Sequence, residues 1–217
     1  MKLAIFGATG ATGQCLVEQA LDQGYDVTAF ARNPLALTTR HAHLSIVTGD
    51  VFRPANVEEA VANQEAVLCA IGGHDRLRVA LSGHPRQPGL CTVGTRNILD
   101  AMKKYDVSRL ICLSAWGVGD SKDRLPFAFK HIILPLLMKE EYEDKEAQEQ
   151  LIQQSTLDWT IVRPARLTNG QRTGSYRMNS TLEFSGHSSI SRADVADCML
   201  KQLTDQTFRQ KCIELSY

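Results

Sequence analysis

The stretch Lys2-Leu3-Ala4-Ile5-Phe6-Gly7-Ala8-Thr9-Gly10-Ala11-Thr12-Gly13-Gln14-Cys15-Leu16-Val17-Glu18-Gln19-Ala20-Leu21 decides the fold. Lys2 to Phe6 is a short apolar run that stops at Gly7. Leu16, Val17, Ala20 and Leu21 then recur at helical spacing. Gly24 closes that helix, and Tyr25-Asp26-Val27-Thr28-Ala29-Phe30 reads as a second strand. Strand, glycine turn, helix and strand within about thirty residues make a βαβ unit with its glycines at the first turn. The G-x-x-G-x-x-G spacing has a mechanical meaning. Gly7 allows a tight exit from the strand, Gly10 a close backbone approach to a pyrophosphate, and Gly13 close packing of helix on strand. Ala11, Thr12 and Gly13 would then turn their amides toward the phosphates, aided by the helix dipole. The plainer alternative is a glycine-rich turn with no ligand, and the strand–helix context argues against it.

The end of the second strand speaks to cofactor choice. An NAD-preferring site usually presents an Asp or Glu there for the ribose 2′-hydroxyl. This chain has Ala31-Arg32-Asn33-Pro34. A guanidinium suits the 2′-phosphate of NADP, so Arg32 predicts NADP, with Arg40 as a weaker second candidate. The other reading of Arg32 is an exposed residue at a strand end.

The alternation continues outward from this unit. Leu44–Asp50, Ala66–Ile71, Arg109–Ser114 and Asp158–Pro164 read as further strands, and Cys212–Leu215 as the last. Helices are predicted over Asn56–Asn63, Leu90–Tyr105 and Arg192–Leu203. Strands alternating with helices predict an α/β fold, a Rossmann-type doubly wound parallel sheet. With no internal repeat or long linker, residues 1–217 read as a single domain. Ligands of such sheets lie beyond the carboxyl ends of the strands. That collects Gly7 to Gly13, Arg32, Asp50 and Val51, Ala70, Ile71 and Gly72, Ser114 and Ala115, and Pro164 as cofactor-binding candidates. Asp50 either accepts from an adenine amino group or closes an Asx-turn.

Composition narrows the function class. Lys plus Arg and Asp plus Glu both number 24 in 217 residues. That balance argues against a nucleic-acid partner, which would leave a basic excess. The apolar run Leu125–Met138 contains Lys130, His131 and Pro135, too interrupted for a membrane span. Lys2 is followed by only four residues before the glycine loop, which reads as no secretion signal. The expectation is therefore a cytoplasmic protein with its six cysteines reduced and mostly buried. A small-molecule substrate is expected, with no membrane partner, as a monomer or homodimer. His41 and His43 share a strand face, but without an evident carboxylate or Cys partner they predict no metal site. His74 and His131 are candidate pocket residues.

Taken together, Ile5-Phe6-Gly7-Ala8-Thr9-Gly10, Gly49-Asp50-Val51, Thr95-Arg96-Asn97-Ile98, Leu113-Ser114-Ala115, Trp159-Thr160-Ile161-Val162-Arg163-Pro164 and Ser191-Arg192-Ala193-Asp194-Val195-Ala196 resemble the atypical short-chain dehydrogenase/reductases of the NmrA-like, NAD(P)-binding family. Within it the chain looks most like the biliverdin reductase B, or flavin reductase, branch. The resemblance covers essentially the whole chain. It implies that Gly7, Thr9, Gly10, Thr12, Arg32, Asp50, Val51, Ala70, Ser114 and Pro164 contact NADP, and that Ser114 also faces nicotinamide and substrate. The chain departs from that branch in a longer segment after the fifth strand, Trp116–Met138. This segment reads as a lid, a pocket wall or a dimer surface, or more plainly as an ordinary buried helix.

A typical short-chain dehydrogenase carries Tyr-x-x-x-Lys on one helix face, the Lys lowering the Tyr pKa for proton transfer. No Tyr here has a Lys four residues on; the nearest approach is Tyr142-Glu143-Asp144-Lys145. The resemblance places Lys145 at the usual Lys and Glu141 where the Tyr should be. Tyr142 and Lys145 remain catalytic candidates beside Ser114, against the reading of a surface Tyr next to a solvated Lys. Flavin or tetrapyrrole reduction tolerates the missing pair, because hydride enters an electron-poor ring and solvent supplies the proton. The expected function is an NADPH-dependent reductase of a flavin (FMN or FAD as substrate) or similar conjugated acceptor. Substrate would bind between loops at about 72–90 and 116–141. The alternatives are an inactive NADP-binding sensor of NmrA type, or an isomerase or dehydratase using bound NADP.

Overall fold

The computed structural model describes residues 1–72, 88–185 and 187–217. Its strands are β1 (Lys2–Phe6), β2 (Asp26–Ala31), β3 (Leu44–Thr48), β4 (Ala66–Cys69), β5 (Arg109–Leu113), β6 (Asp158–Pro164), β7 (Arg166–Thr168), β8 (Arg177–Asn179), β9 (Ser189–Ser191) and β10 (Lys211–Ser216). The helices are α1 (Ala11–Asp22), α2 (Pro54–Val61), α3 (Leu90–Lys104), α4 (Lys139–Gln153) and α5 (Arg192–Lys201), with a π-helical stretch over Phe129–Met138 leading into α4.

One eight-stranded sheet runs in the order β3-β2-β1-β4-β5-β6-β10-β8. All its pairs are parallel except β10 with β8. The short strands β7 and β9 form a separate parallel pair. This is the predicted doubly wound sheet. β4 and β5 are buried at every position, as strands covered on both faces must be. One core face packs Leu3, Ile5, Leu16, Val17 and Ala20 with Val195, Ala196 and Met199 of α5. The opposite face packs Phe6, Val57, Val61, Ile98, Met102 and Ile152. The six cysteines are free thiols, four of them buried.

Boundaries shift for local reasons. α2 starts at Pro54, two residues before the predicted Asn56, because proline suits a first helical turn. Met178 falls in β8, an antiparallel edge strand on β10. Two expectations are corrected. His43 does have a carboxylate partner, its Nδ1 lying 2.7 Å from Asp26 Oδ1; His–Asp pairing across adjacent strands was invisible without their register. No group of three or more metal-ligating side chains forms among the described residues, so this pair is a surface contact. The Leu125–Met138 run is not an ordinary buried helix. Leu125 and Leu134 are buried, whereas Phe127 is 77% exposed and Leu136 63%.

Candidate cofactor and substrate site

The carboxyl ends of β1, β2, β3, β4, β5 and β6 lie along one edge of the sheet, because these strands are mutually parallel. That edge carries every strand-end candidate named above. At its centre the glycine turn is set by packing. Gly7 has φ +78°, and a Cβ there would stand 2.5 Å from the Ala70 carbonyl oxygen. A Cβ on Gly13 would stand 2.0 Å from the Gly7 carbonyl oxygen. These two glycines join β1, β4 and α1 at distances no side chain permits.

Gly10 differs: a Cβ there would meet only the Gly7 carbonyl, at 3.2 Å. Its outer face is open to a ligand. Gly10 is also the N-cap of α1, so it offers no side chain to the first-turn amides, and no acid stands in that turn. Uncapped amides at the positive end of a twelve-residue helix form an anion cradle. Gln14 braces the turn, its Nε2 donating to the Thr9 carbonyl at 3.1 Å.

Flanking this cradle, Arg32 is exposed directly after β2. Arg40 is committed elsewhere, Nη1 donating to the carbonyls of Leu37 (2.7 Å) and Thr39 (2.9 Å). The weaker of the two arginine candidates is thus explained by local structure. Asp50 closes an Asx-turn, its Oδ1 accepting from the Phe52 amide at 3.0 Å. Val51 is buried, and its carbonyl accepts from Asn97 Nδ2 at 2.7 Å. Asn97 therefore holds the turn after β3 from α3, a role that its place in the Thr95–Ile98 motif did not reveal. Ala70, Ile71 and Gly72 leave β4 beside the glycine turn, the Ala70 amide donating to the Phe6 carbonyl at 2.9 Å. Residues 73–87 of the predicted 72–90 substrate loop, His74 among them, lie outside the described residues.

A family model described as NAD(P)H-binding matches residues 7–206. The chain belongs to that NAD(P)H-binding family. Among curated relatives it is 29% identical over 99% of its length to the uncharacterized chloroplastic protein At2g34460 of Arabidopsis thaliana, covering 76% of that protein. It is 29% identical to the uncharacterized protein YwnB of Bacillus subtilis, over 94% of this chain and 92% of that one. Among solved structures, a short-chain dehydrogenase/reductase from Veillonella parvula in complex with NADP superposes with TM-score 0.81 at 19% identity, covering 100% of this chain and 94% of that one. ChuY from Escherichia coli O157:H7, an anaerobilin reductase, gives TM-score 0.81 at 24% identity, covering 99% and 96%. These likenesses extend the NAD(P)H-binding fold over the whole chain, as the motif resemblance implied. The cradle fits the cofactor this family binds: open Gly10, uncapped α1 amides and a polar rim.

β5 ends on the same edge of the sheet. The Ser114 amide donates to the Val162 carbonyl at 2.8 Å and the Trp116 amide to the Pro164 carbonyl at 3.1 Å, which extends the β5–β6 pairing through Ala115. Ser114 is 4% exposed, and its Oγ has no protein partner among the described residues. A buried hydroxyl left unmatched at a strand end is a candidate contact for a ligand or an ordered water.

Tyr142 and Lys145 reach this region from α4 with different hydrogen-bond partners. The Tyr142 hydroxyl donates to the Trp116 carbonyl at 3.2 Å, and burial followed by the Glu141 charge pushes its pKa up to about 12. Lys145 is 6% exposed, with Nζ donating to the Leu113 carbonyl at 3.4 Å. Burial opposes the ammonium charge, whereas Cys91 and Cys112 as thiolates and the Glu141 carboxylate act the other way and leave its pKa above the ordinary lysine range. Lys145 is thus a buried cation at the Leu113 carbonyl and not a solvated surface lysine.

Asp144, between them, was missed by the sequence reading. Its Oδ2 accepts from the Cys91 amide (2.8 Å), and its Oδ1 from the Thr92 amide (2.9 Å) and hydroxyl (2.6 Å). A carboxylate from α4 thereby caps the N-terminus of α3 and docks the helix that carries Tyr142 and Lys145.

Two cavities adjoin the segment after β5. One of about 300 Å³ lies between the π-helical stretch and α4, lined by Gly117, Lys122, His131, Leu134 and Tyr142 among others. His131 thus does line a pocket. The other, about 520 Å³, is remote from the glycine turn and is walled by Asp120, Glu149 and Arg163. Arg163 is 1% exposed, with Nε on Glu149 Oε1 at 3.0 Å and Nη2 on Glu149 Oε2 at 2.5 Å. Its Nη1 binds Asp120. Arg124 likewise holds the buried Glu214 of β10. These ion pairs latch the loop after β5 to the sheet.

Proposed function

We propose that the protein is an NADPH-dependent reductase that passes hydride to a flavin or a related conjugated acceptor. One observation carries the choice of acceptor. The only tyrosine near the β5 end among the described residues, Tyr142, spends its hydroxyl on the Trp116 carbonyl and is held neutral by burial. Reduction of an unconjugated ketone needs a proton donor for the nascent alkoxide, and this site offers no activated tyrosine. A conjugated ring accepts hydride without one. When bound, NADPH supplies the hydride, and a solvent proton completes the two-electron reduction. The protein's part is to hold the anionic cofactor at the Gly7–Gly13 cradle, to contact its 2′-phosphate through Arg32, and to orient the reacting rings with Ser114. That ChuY is an anaerobilin reductase supports an acceptor of this class.

The test mixes purified protein with NADPH and FMN and follows the loss of NADPH absorbance. Consumption above a protein-free control is expected. Tight NADPH binding by calorimetry without consumption would sink the reductase reading. It would favour a second one, a cofactor-binding protein without turnover. Relatives called photosystem II assembly factor Ycf39 (Synechocystis, 26% identical) and TIC 62 (Arabidopsis, 25% identical) support that alternative. The chain matches 46% and 33% of their lengths.

A further inference from the structure

Two residues beyond Ser114 stands a second buried donor with nothing to bind. The Nε1 of Trp116, like the Oγ of Ser114, is shielded from solvent and has no hydrogen-bond partner among the described residues. An indole N–H can only donate, and leaving it buried and unmatched is costly. The backbone puts both groups on one face. The Ser114 and Trp116 amides donate to the Val162 and Pro164 carbonyls, two residues apart on β6. The chain therefore stays extended between them, and their side chains point the same way. Leu110 and Cys112 precede them in the same alternation and pack with Ile98, Met102 and Ile152. Ser114 and Trp116 thus lie on the face covered by α3 and α4.

Trp116 is also fixed in place. Its carbonyl accepts from the Tyr142 hydroxyl at 3.2 Å, and its ring packs on Phe184 with centroids 4.5 Å apart. The loop carrying Phe184 is pinned at Leu182. There the amide donates to Glu214 Oε2 at 2.7 Å, and the carbonyl accepts from Arg124 Nη1 at 3.3 Å. The Arg124–Glu214 pair therefore anchors the Phe184 loop as well as the segment after β5. A donor held this firmly is preorganised for one position of its partner. We propose that the Trp116 indole N–H and the Ser114 hydroxyl together hold an oxygen-bearing edge of the acceptor, a ring carbonyl or a carboxylate. They would thereby select oxygenated conjugated rings over rings without oxygen. This rests on the reductase reading and adds Trp116 to it as a specificity-determining residue. FMN offers such an edge in the two carbonyls of its pyrimidine ring. The indole supplies a donor without giving up a proton, which suits a site whose Tyr142 hydroxyl is held by a backbone carbonyl. Ordered waters on the two donors are the competing arrangement, and they predict no dependence on the chemistry of the acceptor.

Trp116→Phe tests the grip, because it keeps an aromatic ring against Phe184 and removes only the N–H. NADPH oxidation is followed with FMN and with methylene blue, a conjugated acceptor that carries no oxygen, each corrected for the protein-free rate. KM for FMN should rise about tenfold, the upper worth of one hydrogen bond, while KM for methylene blue and the Kd of NADPH stay within about twofold. An unchanged KM for FMN overturns the proposal. So do losses shared by both acceptors, a weakened NADPH complex or a large fall in melting temperature, each of which would mean that the indole packs rather than binds. If neither acceptor is turned over, the reductase reading fails, and calorimetry of FMN against the NADP⁺-saturated protein reads the same contact. Binding about tenfold weaker in the variant would sustain the grip. Equal binding in both proteins, or binding in neither, would overturn it.

Discussion

The two halves of the candidate site are built by different means. The half around β1 and α1 works through backbone atoms, placed by glycines that touch neighbouring carbonyls. The half around β5 and α4 works through side chains joined across long sequence distances: Asp144 to Cys91 and Thr92, Arg163 to Glu149 and Asp120, Arg124 to Glu214. A backbone device tolerates almost no substitution but is written locally. A side-chain latch can be rewritten, provided its partner changes with it. The first half suits an invariant ligand such as a dinucleotide. The second suits an acceptor that differs among proteins of one fold.

The largest effect that would sharpen this contrast comes from Gly13→Ala. Its new Cβ has backbone on every near side, so roughly 3 kcal/mol of stability should be lost, the upper end for overpacking, along with NADPH binding. Gly10→Ala should leave the melting temperature within a few degrees while weakening NADPH. If the two variants behave alike, the separation of packing glycine from ligand-facing glycine is wrong.

Of similar size, once the remaining Asp120 contact is allowed for, is the expected effect of Glu149→Ala. It strips a fully buried guanidinium of its bidentate partner, and losing one member of a buried pair costs about 3–5 kcal/mol. Asp120, which is 78% exposed, compensates only partly. Urea unfolding measures the loss. A change below about 1 kcal/mol would mean that the latch behaves as a surface pair.

Arg32→Ala should weaken NADPH by about 10- to 100-fold, the worth of a charge-assisted contact, and NADH far less. Equal losses by calorimetry would remove Arg32 from the 2′-phosphate. The smallest effect should be that of Tyr142→Phe. Its hydroxyl pKa is raised to about 12, so the group stays neutral through the ordinary working range. The pH profile of NADPH turnover between about 6 and 9 should keep its shape, since an unperturbed tyrosine already titrates near 10. The linked stability is fully present below that unfolded value and is lost as pH rises through about 12. Tyr142→Phe should therefore flatten the alkaline unfolding curve. A neutral-pH limb that vanishes in the variant would restore Tyr142 as a proton donor.

Much of the cofactor half was legible in the residues. Gly7, Gly10 and Gly13 sit within one turn and one helix, and Arg32 follows the next strand, so local order already implies their meeting. Asp50 left two readings open, and the Asx-turn to Phe52 realises one of them. The half around β5 and α4 was harder. Tyr142-Glu143-Asp144-Lys145 showed a near-miss of a catalytic spacing, but nothing in those four letters says that Asp144 caps α3 or that Lys145 lies buried at the Leu113 carbonyl. The apolar Leu125–Met138 run looked like core, and its burial depends on what packs against it. Asn97 shows the same limit, since its contact with Val51 spans two different elements.

The sequence by itself determined the α/β alternation, the glycine cradle and its family, because turn chemistry and hydrophobic period are local properties of the chain. Only the tertiary structure decided which glycine faces outward, where Tyr142 spends its hydroxyl, and that the segment after β5 shows an apolar face to solvent. Those facts depend on contacts between residues tens of positions apart. Burial, hydrogen-bond partners and charge environment exist only once the chain has closed on itself.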